Sequence, residues 1–386
     1  MNRQEQDNNF ERAMKHINTE GLDGMGSAIQ LLINAAMEIE REKHLGALPY
    51  ERTEERTGYS NGFKPKTVKT RLGALSFNIP QVRESDFYPS SLEKGIRSER
   101  ALRVAIAEMY FQGVSTRKVS YIMEELCGLE VTSTQVSRAA AELDQEFELW
   151  RNRPLGKYKY TFFDARYESI RHGGCVIDCA VLIPIGITED NKREVLGVSV
   201  ALSEAEVHWR SFFKSLQERG LHGIELIISD DHAGLKAARK VFFPSILWQR
   251  CQFHLQLNAQ AYVPKRDMKK KVAGSIRNIF NAPNLPEAER LLTISIADYK
   301  NEAPLLSEWM DKNLREGFTV FNFPNEHQKR LRTSNISERL NKEVKRRTRI
   351  ATIFPNVASC LRLVTAVLIE VSEEWISTKS YLNQKE

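Results

Sequence analysis

The sequence predicts an α/β core with a mixed β-sheet and an all-helical insertion, preceded by a mainly helical region. Three observations carry this. Between Lys159 and His254, short apolar runs with strand-like alternation are separated by helix-period segments. From Lys265 to about Phe323 the strand-like text disappears and the apolar spacing stays helical. Ahead of both, Ser98 to Phe147 reads as three short helices with glycine and capping residues at the breaks.

Composition bounds the class. A chain of 386 residues with 41% hydrophobic residues can bury a sizeable core and is long enough for two or three domains. No run reaches the roughly 18 apolar residues of a membrane span, and the first residues, MNRQEQDNNFERAMKH, lack the apolar segment of a signal peptide, so a cytoplasmic protein is expected. Five scattered cysteines without a repeated Cys-x-x-Cys pattern indicate neither a disulfide framework nor a zinc ribbon. The net charge of +6 is modest, so the placement of charge matters more than its sum.

In chain order, Ile29, Leu32, Ile33, Ala36 and Ile39 recur at helical spacing, and Gly46 with Pro49 ends that segment. Its apolar face can pack on its own domain or on another subunit. Arg52 to Arg71 reads as a basic loop, with Lys64, Lys66 and Arg71 among its cations and Tyr59 and Phe63 between them, a composition suited to phosphate contacts. Val68, Thr70 and Leu72, then Leu75, Phe77 and Ile79, alternate around Gly73 as a hairpin. Helices follow at Ala101 to Phe111, at Thr116 to Leu126, and from a Thr132 or Ser133 cap to about Phe147. The last two, joined by a turn at Gly128 to Val131, fit a helix-turn-helix whose second helix carries Gln135 and Arg138 near its start. Arg97, Arg100, Arg103, Arg117 and Lys118 lie in the same region.

The core then begins. Lys159 to Phe163 alternates into Asp164, Cys175 to Ile187 and Glu194 to Leu202 are further strands, and Glu204 to Arg219 is helical. A buried strand, Ile224 to Ile228, ends abruptly in Ser229, Asp230, Asp231 and His232; a helix from Ala233 to Phe242 and a short apolar run, Ser245 to Trp248, lead to Cys251 and His254. Three meandering strands, then helix, strand, helix, strand, is the element order of the ribonuclease H-like fold. After the helical insertion, Asn335 to about Arg349 forms a last core helix. At about 100° per residue, Glu338, Lys342, Lys345 and Arg349 share one face, and Ile336, Leu340 and Val344 the opposite one, so a carboxylate heads a basic stripe.

The residues carry a resemblance. GYSNGFKPKTVKTRLGAL (58–75), EMYFQGVSTRKVSYI (108–122), FDARYESIR (163–171), REVLG (193–197), SDDHAGL (229–235), WQRCQFH (248–254) and RTSNISERLNKEVKRRTR (332–349) stand in the order found in Mutator-type bacterial insertion-sequence transposases, a DDE-class family that the chain resembles over nearly all its length. Ser169, Ile336 and Ser337 depart from that pattern.

The resemblance implies that Asp164, Asp230 and Glu338 are the catalytic and metal-binding triad of a DDE transposase, holding two Mg²⁺ ions for which Mn²⁺ substitutes. It favours Asp230 over the adjacent Asp231, and strand alternation allows only one of them on the metal face. Asp231 and His232 then have accessory roles, as do Cys251 and His254, which match the family's Cys-x-x-His element and are too few for a structural zinc site. Lys342, Lys345, Arg346, Arg347 and Arg349 are the phosphate contacts expected along the cleaved strand. The implied partners are double-stranded DNA, as terminal inverted repeats and target, and further copies of the chain in a dimer or higher oligomer; the implied location is the bacterial cytoplasm, at the nucleoid. The expected divisions are an N-terminal helix and basic hairpin region for dimerisation or DNA binding (1–95), a helix-turn-helix domain (96–150), the first part of the catalytic core (151–262), the insertion (263–325) and C-terminal core helices (326–386). A non-catalytic DNA-binding derivative and a nuclease without strand transfer are the competing readings. Intact acids at the three positions weigh against the first, and an N-terminal reader of specific DNA ends against the second.

Overall fold

A computed structural model describes residues 3–382 except positions 55, 84, 93, 96, 97, 350 and 379; Arg97 therefore lies outside the described residues. The chain divides into two compact units, 1–142 and 143–386.

In the first unit, helices α1 (Arg3–Glu20) and α2 (Met25–Leu45) precede a two-stranded antiparallel ribbon, β1 (Ser60–Thr70) and β2 (Gly73–Val82). The apolar stripe of α2 packs within the unit: Met37, with Ile29 and Ile33, lies on Val68, Leu75, Phe77 and Ile79 of the ribbon. Lys64 and Lys66 thus sit on a strand rather than on the expected loop. Pairing with Ile79 and Phe77 draws them out of the Gly- and Pro-containing stretch. Three helices follow, α3 (Arg100–Phe111), α4 (Thr116–Cys127) and α5 (Ser133–Ala141). Ser115 caps α4 by accepting from the Lys118 amide, Gly128 ends it at φ 60°, and Thr132 opens α5 with a capping box to Gln135. The expected run to Phe147 stops at Ala141, and a separate helix, α6 (Asp144–Arg151), begins the second unit.

The second unit is built on a six-stranded mixed sheet. Strand β3 (Tyr158–His172) turns at Gly173 and Gly174, both at positive φ, into antiparallel β4 (Cys175–Thr188). The third expected strand is two short ones, β5 (Arg193–Val195) and β6 (Ser199–Ala201), both antiparallel to β4. After helix α7 (Glu206–Glu218), β7 (Leu226–Ser229) pairs parallel with β3; after α8 (Ala233–Phe242), β8 (Leu247–Arg250) pairs parallel with β7. Trp209, Phe212, Phe213 and Leu216 of α7 and Leu235 and Ala238 of α8 bury one face of the sheet against Phe163, Leu182 and Ile227. Removing each such side chain from water contributes roughly 1.5–3 kcal/mol, so the sheet end is held rigidly.

Beyond β8 come α9 (Gln252–Ala259), α10 (Met268–Phe280), α11 (Leu285–Glu302) and α12 (Pro304–Asn313), sharing a core of Val272, Ile276, Leu292, Leu306 and Met310. Trp309 belongs to that core, stacked on Tyr262 at 5.6 Å, and is not presented to a ligand. Helices α13 (Asn325–Leu331), α14 (Asn335–Thr348) and α15 (Val357–Ser377) return to the sheet, α15 against β3, β5 and β6.

Candidate active site

Asp164 does not end its strand, as the sequence implied, because β3 continues to His172, held by pairing with β4. What ends beside Asp164 is the neighbour. The last parallel pair is Phe162 with Ile228, so Asp164 and Asp230 each stand two residues past it, at the carboxyl end of β7. Alternation decides their common side. Phe163 and Ile227 enter the core under α7 and α8, which turns Asp164 and Asp230 to the other face. Asp231 is turned back and consumed elsewhere: Lys236 Nζ lies 2.5 Å and Arg250 3.0 Å from its carboxylate, and both cations also pair with Glu316. Sequence adjacency made the two aspartates rivals; the structure gives them different surroundings.

The electrostatics of Asp164 are those of a carboxylate short of positive charge. Removal from water, and then the charge of Asp230, push its carboxyl up to about 7, against a hydrogen bond from the Ala165 amide and the charge of His254. Asn341 Nδ2 also donates to Asp164 Oδ2 at 2.9 Å. Asn341 belongs to α14, and two further contacts lay that helix along β3: Arg166 donates to the Asn341 carbonyl at 2.6 Å, and Thr348 Oγ1 to Glu168 at 2.9 Å. Glu338 sits one turn before Asn341 on α14, partly buried, and its Oε1 is buried without a hydrogen-bond partner.

Cys251 and His254 explain how the start of α14 is positioned. Both lie past the end of β8: Cys251 is the N-cap of α9 and His254 lies on that helix. The Cys251 amide donates to the Ser229 carbonyl at 2.8 Å, tying it to β7. Its sulfur accepts from the amide and hydroxyl of Ser334, each at 3.3 Å, and the Ser334 carbonyl accepts from the Glu338 amide at 3.0 Å. A chain of backbone and thiol contacts therefore runs from the strand before Asp230 to the helix turn bearing Glu338. Burial works to raise the Cys251 thiol, but hydrogen bonding to His254 and Ser334 outweighs it and holds the thiol below its ordinary value. The same bond to Cys251, reduced by burial and helped by the charges of Cys251, Asp230 and Asp164, raises His254 to about 9. At neutral pH His254 is a cation beside the acids.

Two residues of the site escaped the sequence reading. The sequence places Glu204 only at the start of a helical segment, and the helix itself begins at Glu206. Glu204 is buried, 8% exposed, with His232 Nδ1 3.3 Å away and the Tyr167 hydroxyl at 3.1 Å. Burial raises its carboxyl; His232 opposes this and the charge of Asp230 adds to it. His232 thus faces Glu204 rather than the open site. The other is Asn341, whose spacing of three from Glu338 was the available signal.

The remaining expected residues divide. Lys342, Lys345, Arg346 and Arg349 are exposed on α14. Arg347 is not: it is buried at 4% exposure and ion-paired to Glu343 and Glu370. Its position faces the packing side of the helix, so it stabilises the fold and is not available to a polyanion. In the first unit Lys64 and Arg138 are exposed. Lys66 Nζ donates to the Tyr88 hydroxyl at 2.7 Å, Arg71 is engaged by Glu99 at 2.5 Å, and the Gln135 carbonyl oxygen accepts from the Thr132 amide at 2.9 Å. Gln135 is first of all a helix cap.

Among the described residues no group of three or more His, Cys, Asp and Glu side chains is close enough to hold a metal ion as it stands. The donors nevertheless suit a hard divalent cation. Asp164 and Asp230 repel one another, Glu338 has an orphaned oxygen, and all three offer only carboxylate oxygen.

Fold and site together define a mixed-sheet α/β protein that presents acids at the end of a parallel strand pair and on a basic helix. The family described as "Transposase, Mutator family" matches residues 1–378, and the chain belongs to that family. It is 56% identical over 378 residues to the "Transposase for insertion sequence element IS406" of Burkholderia multivorans, covering 97% of each chain. It is 39% identical to the transposase for element ISRM5 of Rhizobium meliloti, over 96% of this chain and 93% of the relative. It is also 38% identical to the transposase for IS256 in transposon Tn4001 of Staphylococcus aureus, over 91% of each. No helix among the described residues is long and apolar enough to cross a membrane.

Proposed function

We propose that this transposase is a DDE enzyme with a ribonuclease H-like core, in which Asp164, Asp230 and Glu338 hold two Mg²⁺ ions and cleave and rejoin DNA. The observation that carries the reading is the pairing of Asp164 with Asp230 on one face at the end of β7, with α14 bonded to Asp164 through Asn341. When bound, two divalent ions supply activation of the attacking hydroxyl and stabilisation of the leaving oxygen in line. The chain supplies the rest. Asn341 and the Ala165 amide orient Asp164, the Ser229–Cys251–Ser334 contacts set the turn bearing Glu338, and the exposed Lys342, Lys345 and Arg349 hold phosphates beside the site. The His254 cation offsets the negative charge of the acids and of an incoming strand.

The first unit is assigned to recognition of terminal inverted repeats in double-stranded DNA, with α4 and α5 as a helix-turn-helix and Lys64 and Arg138 as exposed contacts. Synapsis of two ends requires at least two copies of the chain, acting at the bacterial nucleoid. Incubating the purified chain with inverted-repeat DNA and Mg²⁺ or Mn²⁺ tests the reading: nicked and joined products are expected, and unchanged DNA contradicts it.

A further inference from the structure

A pocket of about 440 Å³ opens on α14 away from the carboxylates. Asn335, Arg339 and Glu343 line it, about a quarter of a turn around the helix from Glu338, Lys342 and Lys345. Helix α13 adds Lys329 and Arg330, α15 adds Glu374 and Trp375, and Arg193 enters from β5. Among the described residues, Arg193, Lys329, Arg330 and Arg339 make no ion pair within 4 Å, and Arg193 Nε is buried without a hydrogen-bond partner. Of the two acids, Glu343 is already taken by Arg346 and Arg347.

Like charges are gathered here, not merely tolerated. The Arg193 guanidinium lies 4.7 Å from the Trp375 ring centre and 5.2 Å from that of Tyr381, and Arg330 lies 5.1 Å from the Tyr381 ring. Burial, and then the charges of Arg330 and Arg339, push Arg193 below its ordinary value, against Tyr381 and Glu374. The aromatic rings hold the guanidiniums in place without neutralising them, which leaves the cations of the pocket in excess over Glu374, its one acid not taken by another arginine.

We infer that this pocket is a phosphate subsite that holds the backbone of a DNA strand, with Arg193, Arg330 and Arg339 as its donors. Planar guanidiniums suit the paired oxygens of a phosphodiester. The identity of the strand rests on the transposase reading: a strand whose scissile phosphate sits at Asp164 and Asp230 continues across the start of α14 into the pocket.

The test measures binding of a fluorescent single-stranded oligonucleotide to the full chain across a salt series, comparing wild type, the double variant Arg330→Ala with Arg339→Ala, and Arg339→Lys. Both arginines are exposed, so the variants should fold, which a melt checks. The double variant is expected to bind more weakly, with the slope of log K against log salt reduced by about 0.7 per lost contact, while Arg339→Lys keeps the slope. An unchanged slope in the double variant, with wild type binding normally, overturns the inference. Inorganic phosphate is titrated in parallel. If it raises the melting temperature of wild type only, and the DNA slope is unchanged, the pocket takes free phosphate and the assignment to a strand fails. Should wild type bind with the expected slopes yet leave DNA uncleaved, the phosphate subsite stands and the catalytic reading falls.

Discussion

Asp230 and Asp231 are adjacent, yet one faces Asp164 and the other is locked between Lys236 and Arg250. Asp231→Asn should therefore lower stability by about 1–2 kcal/mol, through loss of a partly buried ion-pair network, and leave substantial cleavage. Asp230→Asn should abolish cleavage with the melting temperature retained or raised. Thermal melts alongside a cleavage assay separate the two. The Asp164 carboxyl gives a pH test. Because it titrates at about 7 in the folded chain against an ordinary value of 3.8, the folded state binds the extra proton between those values, and metal-free stability falls as pH rises through that window. In a chelator, Asp164→Asn should be the more stable form at pH 8 by roughly 1 kcal/mol, after allowance for its lost acceptor, and should have no advantage at pH 4. Equal melting temperatures at pH 8 contradict the assigned crowding of the acids. Mg²⁺ should raise the wild-type melting temperature and leave that of Asp164→Asn unmoved.

At the scale of elements, α14 is positioned by its neighbours more than by its own sequence. Cys251→Ala removes the acceptor for two Ser334 donors inside a buried contact, and should cost about 1–3 kcal/mol and reduce cleavage more than DNA binding. Helix α8 meets the Glu204 loop backbone to backbone: a Cβ at Gly234 would lie 2.5 Å from the Glu204 carbonyl oxygen. Gly234→Ala should cost about 1–3 kcal/mol, measured by denaturant unfolding, because neither backbone can yield without moving the sheet end. Much of this architecture was legible in the sequence. Helix α8 has the expected ends, since its apolar stripe and flanking breakers are local signals. The length of β3 was not legible, because Asp164 to Ser169 is polar and its strand conformation comes from pairing with β4. Asn341 and Glu204 were hidden for a related reason: their roles come from packing between elements distant in the chain, and the three-residue spacing of Asn341 from Glu338 puts it near that residue without naming its partner on β3.

Over the whole molecule, the placement of charge says more than the net charge of +6: Arg250 and Arg347 are buried in ion pairs, while Lys342, Lys345 and Arg349 face outward on α14. DNA affinity should then fall steeply with salt, by about 0.9 in log K per log salt for each duplex phosphate contacted, and a flat dependence contradicts binding led by phosphates. The two units divide the work in the proposed scheme, one reading the element's ends and the other cutting them. In the proposed scheme Asp164, Asp230 and Glu338 form one catalytic centre. Its most direct test is single-turnover cleavage of terminal inverted-repeat DNA in Mg²⁺ by wild type, Asp230→Ala and Asp231→Ala at matched DNA occupancy. A loss on the order of 10³-fold is expected for Asp230→Ala and a much smaller one for Asp231→Ala; cleavage that survives Asp230→Ala would rule out this centre.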